Sequence, residues 1–140
     1  MAIEKRDIEE KIGKIKKGLI DLKEYVQDCE EIFEKDEVLK DAILYRLYIL
    51  SDRVISLAEM VCKYEKLGYP LTYSEFIYRL GDFGIIDKEF AYYFANIAKF
   101  RNFLAHDYED IDEKKICKIM LENLDDVGKF LEQIEKSLGV

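Results

Sequence analysis

The chain has 140 residues, of which 49% are hydrophobic and 37% charged, and its 22 basic and 30 acidic residues give a formal net charge of −8. This length suits one domain with one core, and a single proline with few glycines favours a helical protein. The acidic balance excludes a global attraction to nucleic acid or to anionic membranes, so any contact with RNA must be local.

The sequence offers no pattern of a metal site, a secretion signal or a membrane span. Cys29, Cys62 and Cys117 lie far apart without a CxxC pair, and the chain has one histidine. We therefore expect no metal and no cofactor, and three buried free thiols in a reducing cytoplasm. The charged N-terminus and the charges that interrupt each apolar run favour a cytoplasmic protein without a membrane anchor.

The first predicted helix carries a heptad seam. Its apolar residues follow alternating spacings of four and three: Ile8, Ile12, Ile15, Leu19, Leu22, Val26, Cys29 and Phe33. That period predicts one continuous amphipathic helix, packed along its whole length.

A second helix is predicted from about Asp36 to Leu67, and between Ala42 and Cys62 it is apolar on almost every side. A helix of this kind must be covered all round. In a domain of this size, other helices could cover one face of this helix, and a second copy of the chain could cover the opposite face. Homodimerisation is therefore a prediction of the sequence.

The second half of the chain contains several signals of helix ends and helix starts. Gly68 and Pro70 suit the end of the second helix, and a short helix is predicted over about residues 74–80. Asp87 suits the N-cap of a helix that begins at Lys88. The apolar stripe of that helix comprises Phe90, Phe94, Ile97 and Leu104.

The last predicted helix opens with a candidate capping box, Asp110 and Glu113. Its apolar series is again close to a heptad: Ile116, Met120, Leu124, Val127, Leu131, Ile134 and Leu138. Main helices with short connections predict an all-α, antiparallel up-and-down bundle of about four main helices plus a short one. We expect residues 1–140 to form this single domain.

The only histidine lies in the octet R-N-F-L-A-H-D-Y, residues 101–108. On an ideal helix Arg101 projects within about 20° of Phe90, inside the apolar stripe, so its guanidinium needs partners. His106 lies about 140° around the helix and about 7.5 Å along it, so the two side chains do not converge within one intact helix. Either the helix unwinds near His106, or a dimer axis brings Arg101 and His106 of two chains to one site.

The dimeric arrangement fits the chemistry of RNA cleavage. Attack of a 2′-OH on the neighbouring phosphate uses a base, an acid and a cation. Two chains supply two imidazoles and two guanidinium groups, and an imidazole titrates near neutral pH. Without any comparison, however, a lone histidine at a helix end is more often a capping or hydrogen-bonded residue than a catalyst.

Four stretches of the sequence carry a resemblance to a known family: Y-P-L-T-Y-S-E-F, G-D-F-G-I-I-D, F-R-N-F-L-A-H-D-Y and E-D-I-D. They resemble the HepT-type toxins of the HEPN superfamily. The motif of that family, arginine, four residues, histidine, one residue and tyrosine, corresponds to Arg101, His106 and Tyr108. The resemblance follows the helix order of the whole chain and is closest over residues 69–112.

The resemblance implies a HEPN-like bundle, a homodimer and a metal-independent endoribonuclease of a type VII, HepT/MntA-like toxin–antitoxin system. It implies that Arg101 and His106 are catalytic in a cleft between protomers and that Asn102 supports the site. It also implies a cognate minimal nucleotidyltransferase antitoxin that adds AMP to Tyr108. Acidic residues surround this site and would repel RNA unless nearby cations offset them. The acidic residues are Asp107, Glu109, Asp110 and Asp112; the cations are Lys99, Arg101, Lys114 and Lys115.

Two other functions stay open from the sequence. One is a non-catalytic helical partner that binds a nucleotidyltransferase, with the motif as a docking or modification site; the acidic surface favours it. The other is a nucleotide-binding bundle that uses a cleft at Arg101.

Overall fold

The computed structural model describes residues 2–106 and 111–140, and this part of the chain contains seven helices and no strand. The helices are α1 (Lys5–Lys23), α2 (Cys29–Lys35), α3 (Glu37–Tyr64), α4 (Tyr73–Asp82), α5 (Lys88–Phe94), α6 (Asn96–His106) and α7 (Glu113–Leu138). The predicted all-α bundle is confirmed. None of the described helices is long and apolar enough to cross a membrane.

The single helix predicted over the first heptad seam is two helices, α1 and α2, separated by residues 24–28. Between them the N–H groups of Tyr25 and Val26 donate to carbonyls three residues earlier, at 3.1 and 3.4 Å. These tighter bonds replace the regular helical ladder and end α1. The seam itself continues across the break, because Leu22 and Cys29 are buried on either side of it.

The second predicted helix is confirmed, as α3. Asp36 caps its start by accepting a hydrogen bond from the N–H of Leu39 at 3.0 Å. Just past its end the left-handed conformation falls first on Lys66, with φ of 56°, and again on Gly68, with φ of 92°. Gly68, the predicted end signal, therefore lies two residues after Lys66, the first residue in the left-handed conformation.

Helices of the same chain pack against α3 on several sides: α1, α2, α4 and α6 all contact it. The chain thus covers much of the apolar surface from which homodimerisation was predicted. The prediction of a homodimer therefore rests on the separation between Arg101 and His106, and no longer on the apolar surface of α3.

The long helix predicted after residue 87 is divided into α5 and α6. Asp87 is the N-cap, as predicted, and accepts from the N–H of Phe90 at 2.9 Å. At the division, the side-chain amide of Asn96 donates to the carbonyl of Tyr93 at 2.9 Å. The prediction of one uninterrupted helix is wrong here, so the angular relation between Arg101 and Phe90 does not hold.

The N-cap of α7 is Asp112, whose carboxylate accepts from the N–H groups of Lys114 and Lys115 at 3.1 and 3.3 Å. The predicted cap, Asp110, lies outside the described residues. The buried face of α7 packs against α1 and α2.

A disulfide joins α2 to α7 through Cys29 and Cys117, whose Cα atoms are 5.6 Å apart. The prediction of three free thiols is therefore wrong, and Cys62 is the free, buried cysteine. Packing of α7 on α2 brings the two cysteines together across 88 residues of sequence. The disulfide also removes the basis on which a reducing compartment was inferred.

Candidate functional site at Arg101

Arg101 lies on α6 where this helix contacts α3 and α4. Its side chain is 16% exposed, so the guanidinium is largely withdrawn from water. A buried cation is tolerated only with hydrogen-bond and charge partners. The sequence-based expectation that Arg101 needs partners is confirmed by what surrounds it.

Both of the neighbouring helices supply partners to the guanidinium. Nε donates to Oδ1 of Asp52 at 3.1 Å, and Nη2 donates to the hydroxyl of Tyr48 at 3.1 Å. Cζ lies 5.1 Å from the ring centroids of Tyr48 and Tyr73, within the range of a cation–π contact. Asp52 on α3 is the carboxylate that compensates the charge of Arg101.

Sequence reasoning missed the roles of Tyr48, Asp52 and Tyr73. Tyr48 and Asp52 are four residues apart on α3 and therefore share one face of the helix. Asp52 interrupts a long apolar stretch, which indicates a partly buried polar contact but does not identify its partner. The contact spans 49 residues of sequence, so the fold was needed to identify it.

His106 is the last residue of α6, and its side chain is exposed. Because α6 continues through both residues, Arg101 and His106 stand on one intact helix, about 140° and about 7.5 Å apart. Unwinding before His106 is therefore excluded as the way in which one chain brings the two together. Arg101 faces the interior of its own chain, whereas His106 faces out from the helix end.

Asn102 is exposed next to Arg101, and its Oδ1 accepts from Nη1 of Arg101 at 3.2 Å. Tyr108, the predicted modification site, lies outside the described residues. So do three of the four acidic residues expected to surround the site; the fourth, Asp112, is exposed.

The basic residues that were expected to offset these acidic residues differ in their exposure. Lys99 on α6 and Lys114 and Lys115 on the first turn of α7 are exposed, in contrast to Arg101. They are available to a phosphate backbone, whereas the charge of Arg101 is already matched by Asp52.

A cavity of about 540 Å³ lies between α3, α5, α6 and α7. Its walls are mainly apolar, with Phe94, Phe100 and Met120 among them, and neither Arg101 nor His106 lines it. The nucleotide-binding alternative, which placed the ligand at Arg101, finds no support in it.

Among residues 2–106 and 111–140, no group of three His, Cys, Asp or Glu side chains is arranged to hold a metal ion. Asp52 and Tyr48 instead hold the guanidinium group of Arg101 through hydrogen bonds. Such a site suits binding of an anion at the exposed edge of the guanidinium.

The chain is thus an all-α bundle in which one helix carries a largely buried arginine and, five residues later at its end, an exposed histidine. The family model described as "Ribonuclease HepT-like" matches residues 15–134. The chain belongs to this HepT-like ribonuclease family.

Known proteins similar to this chain agree with the assignment. The mRNA nuclease HepT of Shewanella oneidensis is 21% identical over 125 residues, which cover 89% of this chain and 93% of the relative. The tri-AMPylated Shewanella oneidensis HEPN toxin, solved in complex with MNT antitoxin, superposes with a TM-score of 0.81 at 21% identity, covering 92% of this chain and 96% of that one. A toxin–antitoxin structure with AMP-PNP gives a TM-score of 0.82 at 20% identity, covering 92% and 97% of the two chains. These structural likenesses establish the fold.

Proposed function

We propose that the chain is the toxin of a HepT/MntA-like toxin–antitoxin pair and a metal-independent endoribonuclease whose site forms between two protomers. The observation that carries this proposal is the arrangement of α6, which buries Arg101 against Asp52 and leaves His106 exposed at its end. Membership of the HepT-like family supports the reaction class.

The division of roles follows from the chemistry. Arg101 binds the scissile phosphate and stabilises the charge that develops on it. One His106 takes the proton of the 2′-OH as this oxygen bonds to phosphorus. The partner subunit's His106 gives a proton to the 5′-oxygen as its bond to phosphorus breaks, which leaves a 2′,3′-cyclic phosphate and a 5′-hydroxyl. One chain has one histidine, so two protomers supply the acid and the base.

The antitoxin partner is proposed from the relatives. A similar HEPN toxin is tri-AMPylated in complex with an MNT antitoxin, and Tyr108 holds the motif position of the tyrosine. AMP on Tyr108, two residues from His106, would place bulk and negative charge where the RNA phosphate binds. Peptide mass spectrometry after co-expression with the cognate nucleotidyltransferase tests this; a modified peptide without Tyr108 would contradict it.

Replacing His106 with Ala tests catalysis. Because the chain has no other histidine, the variant removes every imidazole, and we expect RNA cleavage to fall by about a hundred- to ten-thousandfold. Cleavage is measured with excess chelator, and the product ends are identified as cyclic phosphates. Folding and association are checked by circular dichroism and light scattering. Undiminished cleavage by the variant, or cleavage that needs a divalent metal, would defeat the proposal.

Mixing the wild type with His106→Ala tests whether both histidines act in one site. If they do, every mixed dimer is inactive, and an equal mixture with random exchange keeps about one quarter of the wild-type activity. If each protomer acts alone, the same mixture keeps about one half. Mixing wild type with an unrelated surface variant, Asp21→Asn, controls for the exchange itself.

One observation favours a second function, that of a non-catalytic partner of a nucleotidyltransferase. The charge of Arg101 is compensated by Asp52, which weakens its attraction for a phosphate. A wild-type protein that cleaves no RNA yet accepts AMP on Tyr108 would establish this alternative.

A further inference from the structure

The guanidinium of Arg101 is fixed from several sides by side chains of other helices. Asp52 and Tyr48 hold Nε and Nη2 through hydrogen bonds of 3.1 Å each, and Tyr73 places its ring 5.1 Å from Cζ. Asp52 and Tyr48 belong to α3, the longest helix of the described chain, while Tyr73 is the first residue of α4. Two separate elements thus converge on one cation.

The arrangement leaves one edge of the guanidinium for a ligand. Arginine has five N–H donors in a fixed fork. The bonds from Nε and Nη2 lie in partly buried surroundings, whereas the bond from Nη1 to Asn102 is exposed. A phosphate oxygen can therefore replace Asn102 at Nη1 without breaking the contacts that hold the group in place.

We propose that Tyr48, Asp52 and Tyr73 are positioning residues for the ribonuclease reaction: they form an arginine clamp that presents the Nη1 edge of Arg101 to the RNA phosphate. This inference rests on the proposed function. A cation held in advance stabilises the transition state without reorganising during the reaction, which is the form of electrostatic stabilisation that contributes most.

The clamp has a specific electrostatic consequence. Asp52, whose side chain is 47% exposed, partly compensates the charge of Arg101, so the arginine contributes directed hydrogen bonds more than long-range attraction. Loss of the carboxylate should then misplace the guanidinium while making the site less negative. The clamp thus predicts a fall in kcat without a rise in KM for RNA, whereas a purely electrostatic role of Asp52 predicts a lower KM with kcat unchanged.

Asp52→Asn is the first variant, since it keeps the shape and an acceptor oxygen but removes the charge. We expect kcat to fall by about ten- to a hundredfold, with KM unchanged or lower. The matched control is Asp21→Asn, which alters an ion pair that Arg46 of the same helix α3 makes at 3.5 Å. We expect that control to keep the wild-type kcat and KM.

Tyr73 provides a second, independent variant. Tyr73→Ala removes the ring and should lower kcat, whereas Tyr73→Phe keeps the ring and should restore most of that loss. Tyr92→Ala is the control, because the ring of Tyr92 stacks on Tyr78 with centroids 4.5 Å apart and its hydroxyl donates to Asp82 at 2.9 Å. Equal losses for the Ala and Phe variants would contradict a role of the ring.

Chemical rescue separates a preformed cation site from a structural ion pair. In Arg101→Ala the clamp residues remain, so millimolar methylguanidinium should restore part of the RNA cleavage. The double variant Arg101→Ala/Asp52→Asn should show no rescue. Rescue of both variants to the same extent, or of neither, would overturn the clamp.

A measurement without RNA distinguishes failure of the clamp from failure of the proposed function. The Nε–H of Arg101 should give a slowly exchanging NMR signal in the wild type, which Asp52→Ala abolishes because it removes the acceptor oxygen. Persistence of that signal in the variant overturns the clamp, whatever the RNA assays show. If the signal disappears in the variant but the wild type cleaves no RNA, the proposed ribonuclease function fails while the geometry of the clamp stands.

Discussion

Two regions of the bundle are held together in different ways. Where α7 packs on α1 and α2, the contact is an apolar seam with a disulfide inside it and ion pairs at its rim, such as Lys16 with Glu135 at 2.9 Å. Where α6 meets α3 and α4, a cation lies at the junction with Asp52 and two tyrosines. The first region uses interactions that serve stability, and the second holds a charge at some cost in stability. Variants of the two regions should therefore separate stability from activity.

The disulfide should give the largest effect on stability. Joining Cys29 to Cys117 closes a loop with a sequence separation of 88 residues, and restricting so long a loop in the unfolded chain is worth about 4 kcal/mol. The double variant Cys29→Ser/Cys117→Ser should lose about that free energy of unfolding while keeping its kcat under folding conditions. Denaturant titration with and without reductant measures it. Reductant should destabilise the wild type and leave the double variant unchanged; equal stability of the wild type in both conditions would contradict the prediction.

Gly81→Ala, at the crossing of α4 and α5, should reduce stability by less than loss of the disulfide. A Cβ at Gly81 would lie 2.5 Å from Cβ of Ala91 and 3.2 Å from Cα of Lys88, so Gly81→Ala forces the helices apart. We expect a loss of about 2 kcal/mol of unfolding free energy. Since α4 also carries Tyr73, this is the variant that should lower stability and RNA cleavage together.

Gly13→Ala is the matched control for that prediction. Gly13 lies within α1, and a Cβ there would meet nothing within 4 Å. The same substitution should therefore raise the unfolding free energy by about 0.5–1 kcal/mol, through helix propensity alone. A destabilised Gly13→Ala, or an unaffected Gly81→Ala, would show that close helix approach does not decide the outcome.

Local signals in the sequence predicted much of the fold. The apolar run of α3 and the cap at Asp87 were confirmed because each depends on residues near one another in sequence. The two helix breaks, before Cys29 and at Ala95, carry neither proline nor glycine and keep the apolar pattern. They depend on hydrogen bonds such as that from Asn96 to the Tyr93 carbonyl, which periodicity does not encode.

The candidate site was only half predictable from the sequence. The motif residues Arg101 and His106 could be found by their spacing and by resemblance. Their surroundings could not, because Asp52 and Tyr48 reach Arg101 across 49 and 53 residues of sequence. The disulfide was missed for the same reason, since cysteines without local spacing give no sign of their pairing.

The free cysteine, Cys62, allows a test within the second region. Burial raises the pKa of its thiol from 9.0 to about 11, so the thiol stays protonated in the folded chain at mildly alkaline pH. A thiol labelling reagent, which attacks the thiolate, should modify no cysteine of the native oxidised protein and one after unfolding without reductant. Because the folded pKa is raised, the stabilising contribution of Cys62 is present below about pH 9 and is lost as the pH rises towards 11. Rapid labelling of the folded protein would show that the α3 end of the core opens readily.

The ion pair between Lys16 and Glu135, at the rim of the contact between α7 and α1, should have the smallest effect on the free energy of unfolding. Lys16 is half exposed, and exposed ion pairs contribute about 0.2–1 kcal/mol, so a double-mutant cycle with Lys16→Ala and Glu135→Ala should give a coupling energy in that range. The adjacent Ile15, fully buried in the seam, should instead cost about 3 kcal/mol when replaced by Ala. High salt should abolish the coupling of the ion pair but leave the cost at Ile15. A coupling energy as large as the cost at Ile15 would mean that charge, and not apolar packing, holds α7 on α1.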